Sequence, residues 1–278
     1  MLLPRFLTAL IGVPLLLLSI WWGQFAYFVL VVGIVVFSLY EFFSLAEEAG
    51  WGVSKKMGLF SGLFLTLSII FFGTDFFRLK LGILESSFTS SCMTLLFIFL
   101  VISSLFKTKK EQAFLDLSIT WLGVFYIAWS LAHLFLIRDI RPSGRAYTFF
   151  LFLVIWTLDV GAYFGGKKWG KNKLSEDISP KKTWEGVVSG SLIAFLVSIF
   201  LHFILLKSSN IIHTLILAII IIVLAQLSDL SESLFKRNMN VKDSGSLLPG
   251  HGGILDRFDS FLLTTPVYYY VLIFWVIK

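Results

Sequence analysis

Nine runs of mostly apolar residues, each close to the length that crosses a bilayer, fill most of this 278-residue chain. They cover 6–22, 25–43, 57–73, 91–106, 115–137, 147–165, 186–206, 211–228 and 260–277. A membrane-spanning helix needs about 20 apolar residues. In lipid every backbone amide and carbonyl must find its partner inside the protein, so such runs fold as helices. Charged residues make up only 14% of the chain and hydrophobic ones 57%, whereas a soluble domain carries about 25% charged residues. With a mean hydropathy of +0.88, one water-soluble core cannot hide this much apolar surface. Disordered, collagen-like and disulfide-framework chains are excluded as well, since apolar content is high and the single cysteine, Cys92, lies in an apolar run as a small packing residue. The first run follows Arg5 as a signal peptide would. No small-residue cleavage site follows it and eight more runs do, so it reads as a retained helix. The expected fold is an all-α polytopic membrane protein with about nine transmembrane helices and a polar cavity facing the cytoplasm.

The net charge of +6 suits anionic headgroups and inner loops rather than nucleic acid. With nine alternating spans, sixteen of the 23 lysines and arginines fall on one side and seven on the other. The richer side is expected to be cytoplasmic, which places the N-terminus on the inner side of the cell membrane and the C-terminus outside. Residues 1–146 are expected to form about five ordinary spans. Residues 147–278 form about four spans interrupted by two long polar segments, 166–185 and 229–259. Alternation puts both segments on the same face, and that coincidence makes a site.

The first polar group begins inside an apolar span with Asp159, where a carboxylate is expensive and usually serves function; the alternative is a structural partner for a neighbouring helix. Gly161 to Lys167 matches G-x-x-x-x-G-K, but Lys168 stands where a Ser or Thr is required and the context is a membrane helix, so the P-loop reading is rejected. The glycines instead permit close helix packing. The second group, Ser179-Pro180-Lys181-Lys182-Thr183-Trp184-Glu185-Gly186, precedes a span. Pro180 suits a helix start with Ser179 as its N-cap, and Glu185 is placed to pair with Lys181 or Lys182. Two lysines, hydroxyls and helix N-terminal amides suit an anion such as phosphate; the lysines also read as topology anchors.

The third group puts Asp229, Ser233, Lys236 and Arg237 on one helical face. The fourth runs from Lys242 and Asp243 through Gly250, His251, Gly252 and Gly253 to Asp256, Arg257 and Asp259. Its glycines let backbone amides approach a ligand. Asp256 and Asp259, three apart, are expected to share a face opening the last span. Paired carboxylates near substrate phosphates suit Mg²⁺, with room for a second cation. His251 reads as a base, a phosphate donor or a structural residue. His133, His202 and His213 stand singly by apolar runs as packing residues, with no zinc spacing and no Ser-His-Asp set. A magnesium-bound polyphosphate at a membrane face, with a lipid as second substrate, implies phosphoryl or nucleotidyl transfer.

The stretch Ser233, Lys236, Arg237, Lys242, Asp243, Pro249, His251, Gly252, Gly253, Asp256, Arg257 and Asp259 resembles the signature of phosphatidate cytidylyltransferases, also called CDP-diacylglycerol synthases. Asp159-x-Gly161-Ala162-Tyr163 and Ser179 to Gly186 resemble the family's other motifs, so the likeness is specific over about 159–259. Ser228 departs from it, standing where a glycine usually precedes the aspartate matching Asp229. The resemblance implies transfer of CMP from CTP to phosphatidic acid in the bilayer, a helical polytopic fold and a homodimer. It implies Asp229, Asp256 and Asp259 as metal ligands, with His251 beside them in the catalytic set. Lys236, Arg237, Lys242 and Arg257 would hold phosphates. Ser179, Lys181, Lys182, Thr183, Ser233, Asp243, Gly252 and Gly253 would line a substrate, and Asp159 would shape the cavity. A CTP-dependent lipid-alcohol kinase would release CDP instead of pyrophosphate. A transporter would place its polar residues near the midplane, often in repeated halves, which this chain does not.

Overall fold

The computed structural model describes residues 3–75, 87–106, 110–245, 247 and 252–277. The chain is almost entirely helical. Helices α1 (Leu3–Trp22), α2 (Gln24–Glu48), α3 (Lys55–Gly73) and α4 (Ser87–Leu105) come first. Then α5 (Lys110–Gly123) runs through a π-helical turn, Val124–Trp129, into α6 (Ser130–Asp139). Helix α7 (Gly144–Trp169) is followed by short strands β1 (Lys173–Ser175) and β2 (Ser179–Thr183), then α8 (Trp184–Leu205) and α9 (Ile211–Asn238). The chain ends with α10 (Leu255–Phe258), the 3₁₀ turn Asp259–Phe261, α11 (Thr264–Val271) and the π-helical turn Leu272–Val276. Among the described residues eight helical stretches are long and apolar enough to cross a membrane, and Leu10–Trp22 adds a shorter apolar one where the first of the nine expected runs lies. The protein is a multi-pass membrane protein. Exposed apolar side chains such as Phe25, Leu95, Phe106, Leu196 and Phe200 follow from this, because lipid rather than water meets them.

Two compact units result. The first joins Met1–Asp139 with Met239–Phe258; the second joins Ile140–Asn238 with Asp259–Lys278. Residues 239–258, which the sequence places in a C-terminal region, therefore group with the N-terminal helices. In the first unit α2 is the hub, packed by α1, α3 and α6. Its buried side includes Tyr27, Val31, Val35, Leu39, Phe42 and Phe43.

In the second unit α7 and α8 approach most closely. Gly161 and Gly165 lie four apart on α7, and Gly186 and Gly190 four apart on α8. A Cβ on Gly190 would stand 2.7 Å from the Leu158 carbonyl, and one on Gly161 3.0 Å from Gly190 Cα. The backbones therefore touch, as small residues at four-residue spacing allow. Gly161 to Lys167 lies wholly within α7, a helix and not a phosphate-binding turn. Gln226 Nε2 on α9 donates to Ser191 Oγ on α8 at 3.1 Å. The Ser228 hydroxyl donates to the Asp259 carbonyl and accepts from Leu263 N at 3.1 Å. The serine that departs from the family pattern thus ties α9 to the start of the last helical stretch.

Candidate active site

The second unit carries one group of the expected residues. Past Asp159, which is exposed on α7, the helix continues to Trp169 and the chain turns into the β1–β2 ribbon. Lys173 pairs with Thr183 and Ser175 with Ser179, with a bulge between. The helix expected to start at Pro180 with Ser179 as its cap is not formed. Residues 179–183 are extended, and the helix starts at Trp184 with Thr183 as N-cap. Thr183 has the extended backbone of a cap (φ −129°, ψ 151°), and its hydroxyl accepts from Gly186 N at 3.2 Å. Pro180 fits the ribbon because two strands have only edges, where a missing N–H leaves no gap in a ladder.

The ion pairing also differs from the expectation. Glu185 accepts from Lys171 N at 3.1 Å, Asn172 N at 3.2 Å and Asn172 Nδ2 at 2.8 Å, so it closes the ribbon instead of meeting Lys181 or Lys182. A carboxylate in the first turn faces the amides of the incoming chain, and backbone donors already in place need no lysine rotamer to be frozen. Lys182 Nζ meets Asp229 Oδ2 on α9 at 2.5 Å, with both side chains about a quarter exposed. Lys181 and Ser179 remain at the surface side of the ribbon, exposed and half-buried.

Helix α9 carries the polar face expected of it. Lys236 Nζ bonds Glu232 Oε2 at 2.6 Å, and Glu232 is only 2% exposed. Ser233 is half-buried. Arg237 Nε donates to the Ile178 carbonyl at 3.2 Å, which pins the tip of the ribbon to the end of α9. The 166–185 segment and the polar end of α9 thus occupy one end of this unit. Asp259 lies within electrostatic reach of Asp229, Glu232 and Asp159. Two of these four carboxylates are paired with lysines, Asp229 with Lys182 and Glu232 with Lys236.

The first unit carries the rest. Ser244 N and Gly253 N donate to Asp256 Oδ2 at 2.8 and 2.9 Å, and Asp256 N donates to Ser244 Oγ at 3.3 Å. Gly252 has φ +84°, and a Cβ there would stand 2.7 Å from Asp256 Oδ2. The glycine is therefore required twice, for its backbone and for the carboxylate beside it. Lys242, Asp243 and Arg257 are exposed around this knot. The amide of Gly253 is committed to Asp256, so the glycine-rich stretch spends part of its donor set within the chain. His251, with Pro249 and Gly250, lies outside the described residues. Among the described residues no three or more His, Cys, Asp or Glu side chains are already grouped to hold a metal ion.

Two carboxylates escaped the sequence reading. Glu232 was legible as the fourth charge of the α9 face. Glu41 on α2 is 2% exposed and accepts from Ser244 Oγ, Ile254 N and Leu255 N. Its signal was the one that singled out Asp159, a carboxylate inside an apolar run.

Comparison with known proteins bears on both sets. The model of the cytidylyltransferase family matches residues 3–275. A Bacillus subtilis (strain 168) protein named phosphatidate cytidylyltransferase is 33% identical over 269 residues, 96% of each chain. A Staphylococcus epidermidis protein of that name is 40% identical over 169 residues, 61% of this chain and 64% of its own. A Staphylococcus aureus protein of that name is 38% identical with the same coverage.

Proposed function

The chain belongs to the cytidylyltransferase family, and we propose that it transfers CMP from CTP to phosphatidic acid, giving CDP-diacylglycerol and pyrophosphate. The observation that carries this reading is the Lys182–Asp229 pair, which joins the lysine motif ahead of α8 to the acidic face of α9. Two motifs far apart in the chain meet at one point, as a site for an anionic substrate and its counter-ion requires.

The chemistry asks little of a base. A phosphatidate phosphate oxygen, already anionic near neutral pH, attacks the α-phosphorus of CTP. One P–O bond forms, the bond to the β,γ-diphosphate breaks, and pyrophosphate departs with its electron pair. The protein's task is to hold two anions in line and offset the charge that develops. Lys236 and Arg237 on α9, and Lys181 and Lys182 on β2, are assigned to phosphates in the second unit. Ser179, Thr183 and Ser233 supply hydroxyls there. In the first unit Lys242 and Arg257 are exposed to take the same kind of ligand, with Asp243, Gly252 and Gly253 beside them.

The residues fit a divalent cation. The second unit holds Asp159, Asp229, Glu232 and Asp259 against the ammonium groups of Lys182 and Lys236. That excess of negative charge, all on hard oxygen donors, is what Mg²⁺ selects. Asp229 and Asp259 are the ligands assigned in this unit, and Asp256, whose Oδ2 accepts from Ser244 N and Gly253 N, is the candidate in the first. Bound Mg²⁺ would neutralise the triphosphate and the departing pyrophosphate. The excess of Lys and Arg on one side supports a cytoplasm-facing site.

The decisive experiment is product analysis. Purified protein with phosphatidate, CTP and Mg²⁺ is expected to yield CDP-diacylglycerol and pyrophosphate in equal amounts, and chelation of the cation to stop both. Release of CDP with a phosphorylated lipid would overturn the reading.

A further inference from the structure

Glu41 sits in α2 about two turns before that helix ends at Glu48. It is 2% exposed, and a carboxylate in an apolar span is retained only where something needs it. Both oxygens are in use. Oε1 accepts from Ile254 N at 2.9 Å; Oε2 accepts from Leu255 N and from Ser244 Oγ, each at 2.9 Å. The donors lie 203 to 214 residues further along the chain. The loop glycines fit around it as well. A Cβ on Gly245 would stand 3.0 Å from Oε1, and one on Gly253 would collide with both Glu41 and Ser244.

The network continues to Asp256. Ser244 gives its hydroxyl hydrogen to Glu41, receives Asp256 N on the same oxygen, and sends its own N–H to Asp256 Oδ2. Bonds to a charged acceptor are shorter and stronger than neutral ones, and three on one carboxylate hold Ser244, Ile254 and Leu255 against α2. We propose that Glu41 is a positioning residue for the reaction: from α2 it sets the backbone of Ser244 and Ile254–Leu255, and through Ser244 it fixes the aim of the Asp256 carboxylate. The assignment rests on the reading of Asp256 as a site residue. Glu41 reaches substrate only through that loop.

The test uses the full-length protein in detergent with Glu41→Gln. Glutamine keeps the shape, but its Nε2 cannot accept, so at least one of the bonds is lost. Hydrogen exchange is expected to quicken tenfold or more at Ser244 and Gly253–Leu255 while α7 to α9 are unchanged. The kcat of the folded enzyme is expected to fall about tenfold to a hundredfold, the scale of a small misplacement of a reacting group. A purely architectural residue would lower the melting temperature and leave kcat of the folded fraction intact, and that result overturns the proposal. So does unchanged exchange in the loop. Exchange is read without substrate, so wild-type protein that makes no CDP-diacylglycerol overturns the function reading by a separate measurement. If Glu41→Gln fails to accumulate in the membrane, Ser244→Ala removes the hydroxyl leg alone. Unchanged exchange at Gly253–Leu255 and unchanged kcat in that variant overturn the proposal too.

Discussion

Replacing Gly190 by alanine tests how the α7–α8 contact supports the site. The added Cβ would stand 2.7 Å from the Leu158 carbonyl oxygen and 2.9 Å from both Ala162 Cβ and Ala162 N. Ordinary contact begins at 3.4 Å, so three α7 atoms are each too close by about 0.5–0.7 Å. Two are backbone and the third is a methyl, so no side chain can rotate away and the helices must part. Overpacking of this kind costs about 1–3 kcal/mol. Alanine also gains about 0.8–1.0 kcal/mol over glycine in a helix, which would mask part of the loss. Gly33→Ala on α2 is the matched control, because nothing lies within 4 Å of its Cβ position and it earns the same helical gain. The difference between the two variants therefore isolates the clash, about 1–3 kcal/mol, or about 2–10 °C in melting temperature. Tryptophan-fluorescence melting in detergent measures it, alongside the initial rate of CDP-diacylglycerol formation. Helix α8 begins directly after Lys182 and Thr183, so its displacement is expected to cut the rate tenfold or more. Gly190→Ala that melts with Gly33→Ala and turns over at the wild-type rate would refute the reasoning.

Further outcomes follow from the site. Asp256→Asn keeps an acceptor for Ser244 N and Gly253 N but removes the charge; turnover is expected to fall at least a hundredfold with melting shifted little, and near-wild-type activity would end the ligand role. Lys182→Ala leaves Asp229 without the ammonium and removes the charge proposed to hold a phosphate, so the apparent KM for CTP or phosphatidate should rise several-fold; unchanged KM and kcat count against it. Thr183→Val removes the cap of α8 and should cost about 1 kcal/mol, read as a lower melting temperature that Thr183→Ser largely restores.

Hydropathy carried the fold a long way, because the bilayer leaves helices as the economical answer for apolar runs of this length. Asp159 and the Asp229 face were legible because charge inside or at the end of such a run is costly. The pairing of charges was not. Lys182 meets Asp229 and not Glu185 because residues 173–183 fold as a ribbon instead of opening the helix, and a bulged two-stranded ribbon leaves almost no periodic trace in five residues. Ser179 and Thr183 each offer a capping hydroxyl ahead of the same helix, and only the extended run up to Thr183 decides between them. Glu41 announced itself by its apolar neighbours, but its purpose lies in donors more than two hundred residues away, which no local pattern records.

The first unit is made from two stretches that are separated in the chain, Met1–Asp139 and Met239–Phe258. During synthesis the early helices enter the bilayer with the acid of α2 still lacking Ser244, Ile254 and Leu255, which the ribosome has not reached. That body stays unfinished while nearly a hundred further residues are threaded, and it is completed only as the last helical stretch emerges. A prematurely ended chain therefore carries membrane helices without the donors that complete the first unit.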